Sequence, residues 1–138
     1  MRLRARLVVL GATATVVLAI GTGSSMAAIG TITIDPKAKL SADRTQATVT
    51  GTINCFVGDT VNVFANVTET VGRVQRFARN LDLNTIVCTG TVQPWSVIVT
   101  ATSSTLPLVA GPANAGAFGF DESDFTQAQT LGTVLLVR

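Results

Sequence analysis

Beyond its first 27 residues the chain reads as all-β, and three observations carry that reading. Short segments that alternate polar and apolar residues recur at roughly ten-residue spacing. Gly, Pro, Asn and Asp cluster between them. No stretch after the leader keeps a convincing helical apolar period. Seven to nine such strands in one domain make a sandwich or a barrel. A closed barrel usually needs longer, more regular hairpins, so the expected fold is an immunoglobulin-like antiparallel β-sandwich of seven to nine strands.

The leader comes first. Met1 to Arg6 carries three arginines, and Leu7 to Ile20 is an uncharged, largely apolar run. Ser25-Met26-Ala27 fits the small-x-small cleavage rule, so residues 1–27 read as a secretory signal peptide cut after Ala27, with Ala28 as the alternative. The apolar run is short of the roughly 20 residues that span a bilayer. Residues 28–138 are then one exported domain, secreted or loosely associated with the envelope, with no membrane span in the mature chain.

Thr31-Ile32-Thr33-Ile34-Asp35 alternates with period two and stops at Pro36. Lys37-Ala38-Lys39-Leu40 is expected to continue as an edge strand, guarded by its lysines. Ser41 to Thr45 is a turn by composition. Ala47 to Cys55 is the cleanest strand: Ala47, Val49, Gly51, Ile53 and Cys55 share one face, and Thr48, Thr50, Thr52 and Asn54 the other. After a turn at Val57-Gly58-Asp59, Val61, Val63, Ala65 and Val67 alternate with polar residues, and Phe64 is the one large apolar side chain on the outer face.

Residues 69–80 are ambiguous. Arg73, Arg76 and Arg79 recur every three residues, which would align them on a helix and alternate them on a strand. The strand neighbours favour an extended hairpin turning at Gly72. Leu81, Leu83 and Ile86 to Val92 are expected to form the next strand, carrying Cys88, Gly90 and Val92 inward. Trp95, Val97, Val99 and Ala101 share a face of the following one. Leu106 to Asn114 is loop-like. Ala113, Ala115 and Ala117 alternate in a strand of small side chains, Asp121 to Asp124 is an acidic loop, and Leu131 to Val137 is the last strand.

Cys55 and Cys88 are the only cysteines, and Trp95 is the only tryptophan. In an exported domain two cysteines ordinarily pair, so a structural disulfide Cys55–Cys88 is expected to pin the layers together, with Trp95 as the core aromatic near it. The alternative is two reduced, buried thiols.

Charge and composition exclude more than they assign. Three of the ten basic residues lie in the leader, which leaves seven against eight acidic residues and a net charge of −1. A basic surface for nucleic acid is therefore not expected. The chain has no histidine and no tyrosine, so a Ser–His or Cys–His nucleophile pair cannot be built. No catalytic residues, no cofactor and no metal site are expected. Asp121, Glu122 and Asp124 read as a solvated loop; weak calcium binding is the lesser reading, because the spaced Asp/Asn/Gly pattern of a dedicated loop is missing. Arg73, Arg76 and Arg79 with Phe77 are the one candidate patch for an anionic partner, against a solvated hairpin whose arginine stems cover apolar surface.

Ile32-Thr33-Ile34-Asp35-Pro36, Leu40-Ser41-Ala42-Asp43 and Thr48-Val49-Thr50-Gly51-Thr52 leading to Cys55 resemble the first half of a family of small exported actinobacterial proteins. Cys88-Thr89-Gly90, Trp95-Ser96-Val97-Ile98-Val99 and Ala110-Gly111-Pro112-Ala113 resemble its second half. That family is defined as a domain of unknown function. The resemblance implies the sandwich and the disulfide and no activity. Trp95 follows both cysteines, whereas antibody-type domains place the tryptophan between them.

The expected function is thus a non-catalytic exported module that binds a protein or surface partner. Two other readings stand beside it: a carrier of a small apolar ligand, and an inhibitor of a secreted hydrolase presenting the loop from Ser103 to Pro112.

Overall fold

The computed structural model describes residues 29–103 and 105–138. The expected signal peptide and its cleavage after Ala27 lie outside the described residues. Nine strands run in the order β1 (Ile29–Ile32), β2 (Lys37–Leu40), β3 (Gln46–Cys55), β4 (Thr60–Val71), β5 (Val74–Arg79), β6 (Thr85–Val87), β7 (Val92–Ala101), β8 (Gly111–Asp121) and β9 (Gln127–Val137). The described residues contain no helix, and so none long and apolar enough to cross a membrane.

Two stretches of long ladders dominate. β3 pairs with β7 from Gln46↔Thr100 to Asn54↔Val92. β8 lies between β4, from Val61↔Asp121 to Thr68↔Asn114, and β9, from Gly111↔Leu136 to Phe120↔Gln127. Two short joins link these halves. β2 runs parallel to β9 at Lys37↔Leu135 to Lys39↔Val137, and β5 meets β7 only at Ala78↔Ala101 and Arg79↔Thr100. The strand neighbours therefore close into a ring, β3-β2-β9-β8-β4-β5-β7 and back to β3. Closure did not need the long regular hairpins that the sequence reading asked of a barrel, because two brief contacts at the corners supply it.

Pro36 creates the first corner. It ends the run that pairs with the Cys55 end of β3, and its carbonyl accepts the Leu135 amide (2.8 Å) as the chain crosses to β9. β2 is consequently not the expected edge but an interior strand between β3 and β9. Its alternation survives the change: Ala38 and Leu40 are buried, and both lysines face water.

The interior follows the period-two pattern. Val49, Ile53, Val61, Val63, Val67, Val99, Val134 and Leu136 are buried, with alanines 47, 65, 113, 115 and 117 filling the narrow spaces between them. Cys55, at the end of β3, is bonded to Cys88, just past β6, with a Cα–Cα distance of 5.5 Å. Because β6 pairs with β4, the disulfide ties the β3–β7 half to the β4–β8–β9 half.

Trp95 is buried, and register places it opposite Gly51, four residues along β3 from Cys55. Its indole N–H reaches the carbonyls of Thr33 and Thr52, both at 3.1 Å. Gly51 makes this possible, since a β-carbon there would lie 1.9 Å from the Thr33 carbonyl oxygen.

Residues 69–80 form the expected hairpin, with Gly72 at positive φ. The expected strand from Leu81 to Val92 does not form as one piece. Asn80 turns the chain by accepting the Ala65 amide on Oδ1 and donating from Nδ2 to the Asp82 carbonyl. Leu81 and Leu83 are left exposed, only Thr85 to Val87 pair, and Val92 opens the next strand facing outward.

Candidate functional site

One end of the ring carries the disulfide and three turns: 56–59 between β3 and β4, 88–91 between β6 and β7, and 122–126 between β8 and β9. The pairs Asn54↔Val92, Thr60↔Val87 and Val61↔Asp121 bring these turns to the same end. Five apolar side chains are exposed there: Phe56, Val57, Val87, Val92 and Phe125, the last 73% exposed. Clustered exposed apolar side chains mark contact surfaces, whereas scattered ones do not. The backbone beneath these is fixed. Gly58 N–H bonds the Cys88 carbonyl at 3.0 Å, and Cys88 N–H bonds the Asp59 carbonyl at 2.8 Å. Val57 leans over Gly90, where an added β-carbon would sit 3.2 Å from it. The ring of Phe125 lies 6.0 Å from that of Phe120.

Within this apolar rim sits an acidic group. Carboxylate oxygens of Asp59, Asp121 and Asp124 lie within 4.8 Å of one another. Asp121 is the last residue of β8 and faces inward, and it is 0% exposed. This corrects the expectation of a solvated acidic loop: the inward set Ala113, Ala115, Ala117, Gly119 continues to Asp121, so only residues 122 to 124 of the acidic stretch are open to solvent. Ser123 donates to Asp121 Oδ1 from its amide (2.8 Å) and its hydroxyl (2.5 Å). Asp121 Oδ2 is buried with no donor. Asp124 Oδ1 accepts from the Thr126 amide and hydroxyl. Glu122 points elsewhere, accepting from Asn62 Nδ2 (2.5 Å).

These carboxyls differ in acidity. Asp59 is raised above its ordinary value, first by its hydrogen bond with Asp121, then by desolvation and by the charges of Asp121 and Asp124. For Asp121 desolvation is the largest influence and acts upward, but the Ser123 hydroxyl and amide, Asp59 and the Asp124 amide outweigh it and hold the group low.

The arginines are not assembled into one patch. Arg73 lies in the exposed turn, and Arg76 and Arg79 fall on opposite faces of β5. Arg76 is partly buried and donates from Nη1 to the Pro107 carbonyl. Its cross-strand partner Glu69 is buried and accepts the Val109 amide on Oε1 at 2.6 Å. Leu108 between them is fully buried, and its amide bonds the Arg44 carbonyl. The loop from 105 to 110 is therefore folded onto the body rather than held out from it.

On the outer face of β4, β8 and β9, Phe64 and Phe118 pair at 6.1 Å. Beside them an open groove of about 490 Å³ is lined by Asn66, Thr68, Asn114, Ala115, Leu131, Gly132 and Thr133. Its lining mixes polar side chains with the apolar surface of Ala115 and Leu131, and Leu131 stands at 85% exposure.

No protein-family model matches the chain, and no curated protein is similar to it in sequence. Two solved structures share a loose likeness. CsgH of R. palustris is 12% identical, with a TM-score of 0.40 over 72% of this chain and 88% of that one. The sporulation control protein Spo0M of Bacillus subtilis is 9% identical, with a TM-score of 0.32 over 80% of this chain and 51% of that one.

Proposed function

We propose that the protein is an exported, non-catalytic β-sandwich module, immunoglobulin-like in layout, that binds a protein or surface partner through its disulfide end. The layout follows from treating β3–β7 and β4–β8–β9 as facing layers joined at two corners. Kinship with the exported actinobacterial family belongs to the same proposal. The disulfide supports an oxidising compartment.

The observation that carries the binding reading is the set of exposed apolar side chains on three turns held together by Cys55–Cys88. Exposed apolar groups on a fixed framework lose little entropy on docking, which favours contact. The carrier reading has in its favour only the open groove beside Leu131, whose lining is mixed and which encloses no ligand-sized cavity. The inhibitor reading is weakened by the way Leu108, Glu69 and Arg76 fasten the 105–110 loop.

The test is affinity capture from culture supernatant and envelope, followed by mass spectrometry. Wild type is compared with Phe56→Ser/Phe125→Ser at the tip and Leu131→Ser on the sheet face. The substituted side chains are exposed, so all three proteins should fold. The reading expects one partner recovered by wild type and Leu131→Ser and lost by the tip variant. Loss in Leu131→Ser alone would move the contact to the sheet, and recovery of nothing specific by wild type would end the proposal.

A further inference from the structure

We infer that Asp59, Asp121 and Asp124 form a binding site for a single calcium ion at the disulfide end. This goes beyond the partner-binding reading and does not depend on it. It revises the expectation from sequence that the chain holds no metal site.

Three acidic side chains on a protein surface do not by themselves make a site. The further observation here is Asp121 Oδ2, an oxygen of a fully buried side chain that no amide, hydroxyl or cationic group among the described residues reaches. Its twin Oδ1 is already saturated by Ser123, so the bare oxygen cannot be relieved by rotating the carboxylate. Leaving such a group unpaired is costly, and the cost grows when the group is charged. One carboxylate oxygen each of Asp59, Asp121 and Asp124 lies within 4.8 Å of the others, where burial of a charge would ordinarily call for a lysine or arginine.

Two things can fill the space: a proton held between Asp59 and Asp121, or a cation coordinated by all three. A proton satisfies one pair and leaves Asp124 unused. A divalent cation uses all three groups and neutralises most of their charge. Asp124 is positioned for this by its Oδ1 bonds to Thr126, which leave Oδ2 free.

The donor set decides the metal. The chain has no histidine, and both cysteines are tied in the disulfide, so nitrogen and thiolate ligands are absent. Oxygen-only donors suit hard cations. Asp59 is partly and Asp124 fully exposed, so water can complete an irregular shell of six to eight oxygens, which calcium tolerates and magnesium does not. Three carboxylates, one from the β3–β4 turn and two from the end of β8 and the turn after it, place the dissociation constant at about 10⁻⁴–10⁻³ M, the range of extracellular calcium modules.

The experiment uses the oxidised mature protein, with CaCl₂ as the probe. Calorimetric titration is run beside thermal unfolding in 10 mM CaCl₂, with NaCl and MgCl₂ controls at matched ionic strength. The inference expects one calcium per chain, and an unfolding midpoint raised by about 5 °C in calcium and less in magnesium. Asp121→Asn alters a buried side chain that holds the end of β8, so the deciding variants are Asp59→Asn and Asp124→Asn, whose side chains reach solvent. Both should fold and lose at least nine-tenths of the calcium response. No heat and no midpoint shift in wild type would overturn the site, as would an undiminished response in both variants.

Discussion

Gly51→Ala is the substitution whose consequence can be worked out most fully. The new methyl would lie 1.9 Å from the Thr33 carbonyl oxygen, 2.8 Å from the Thr33 carbonyl carbon and 2.8 Å from Trp95 Cε2. Two of these three obstacles are backbone, so no side-chain rotation relieves them. The chain at Thr33 must retreat by an ångström or more. That loosens the bond from the Thr33 amide to the Thr52 carbonyl (2.8 Å) and the indole bond to the Thr33 carbonyl (3.1 Å). Overpacking costs about 1–3 kcal/mol, and a buried donor left poorly paired costs about 1–3 kcal/mol. Replacing a strand glycine returns roughly 0.5–1 kcal/mol. The net loss is about 1–5 kcal/mol on these figures. Trp95 is the only tryptophan, so its fluorescence follows urea unfolding at the affected place. With a slope of about 1–2 kcal/mol/M for a domain of this size, the midpoint should fall by at least about 0.5 M. Gly132→Ala is the control: nothing lies within 4 Å of the added carbon, and its midpoint should not drop. If Gly51→Ala matched wild type, the packing described for Thr33, Gly51 and Trp95 would be wrong.

Other consequences follow from the same contacts. Replacing Cys55 and Cys88 together by alanine opens a link between residues 33 apart and should cost about 3.5–4 kcal/mol in the chain-entropy model, measured by the same urea titration. Glu69→Ala removes the acceptor of the Val109 amide, so the 105–110 loop should exchange its amides faster and be cut sooner by protease, while the global stability falls by about 1–3 kcal/mol. Asp43 is held below its ordinary value first by the Ser41 hydroxyl, then by the Thr45 amide and hydroxyl. Its pKa is lower folded than unfolded, so its contribution is present above the unfolded value of 3.8 and lost as pH falls through the folded one. Asp43→Asn should therefore flatten the acid limb of the stability curve below about pH 4, and an unchanged limb would remove Asp43 from the account.

Local alternation made most of the strands legible. Ala47 to Cys55, Val61 to Val67 and Trp95 to Ala101 bury the side chains that a period of two assigns to the core. The hairpin around Gly72 was recoverable because a turn glycine between strand-forming neighbours leaves few options. Ring closure was not legible. The parallel contact of β2 with β9 joins residues almost a hundred positions apart, and nothing local in Lys37 to Leu40 distinguishes an interior strand with outward lysines from an edge.

The acidic site was partly visible. Asp121 and Asp124 stood out by composition, but Gly116 and Gly119 interrupt the apolar rhythm of β8 and obscured the inward position of Asp121. Carrying the count of two from Ala117 through Gly119 would have reached it. Asp59 could not be attached to them without the pairing of Val61 with Asp121. The arginines failed as a patch for the opposite reason: a spacing of three reads as one face only on a helix, and on β5 it separates Arg76 from Arg79.

The claim beneath the rest is that the chain is exported, trimmed and closed by Cys55–Cys88 before it acts. Intact mass of the full chain after expression in an exporting host, taken denatured and then reduced, tests it most directly. The account expects a mass for residues 28–138 less two hydrogens, which reduction restores. A retained leader would contradict export with cleavage after Ala27. A mass unchanged by reduction would mean free thiols, and the framework of the proposed binding end would be lost with the disulfide.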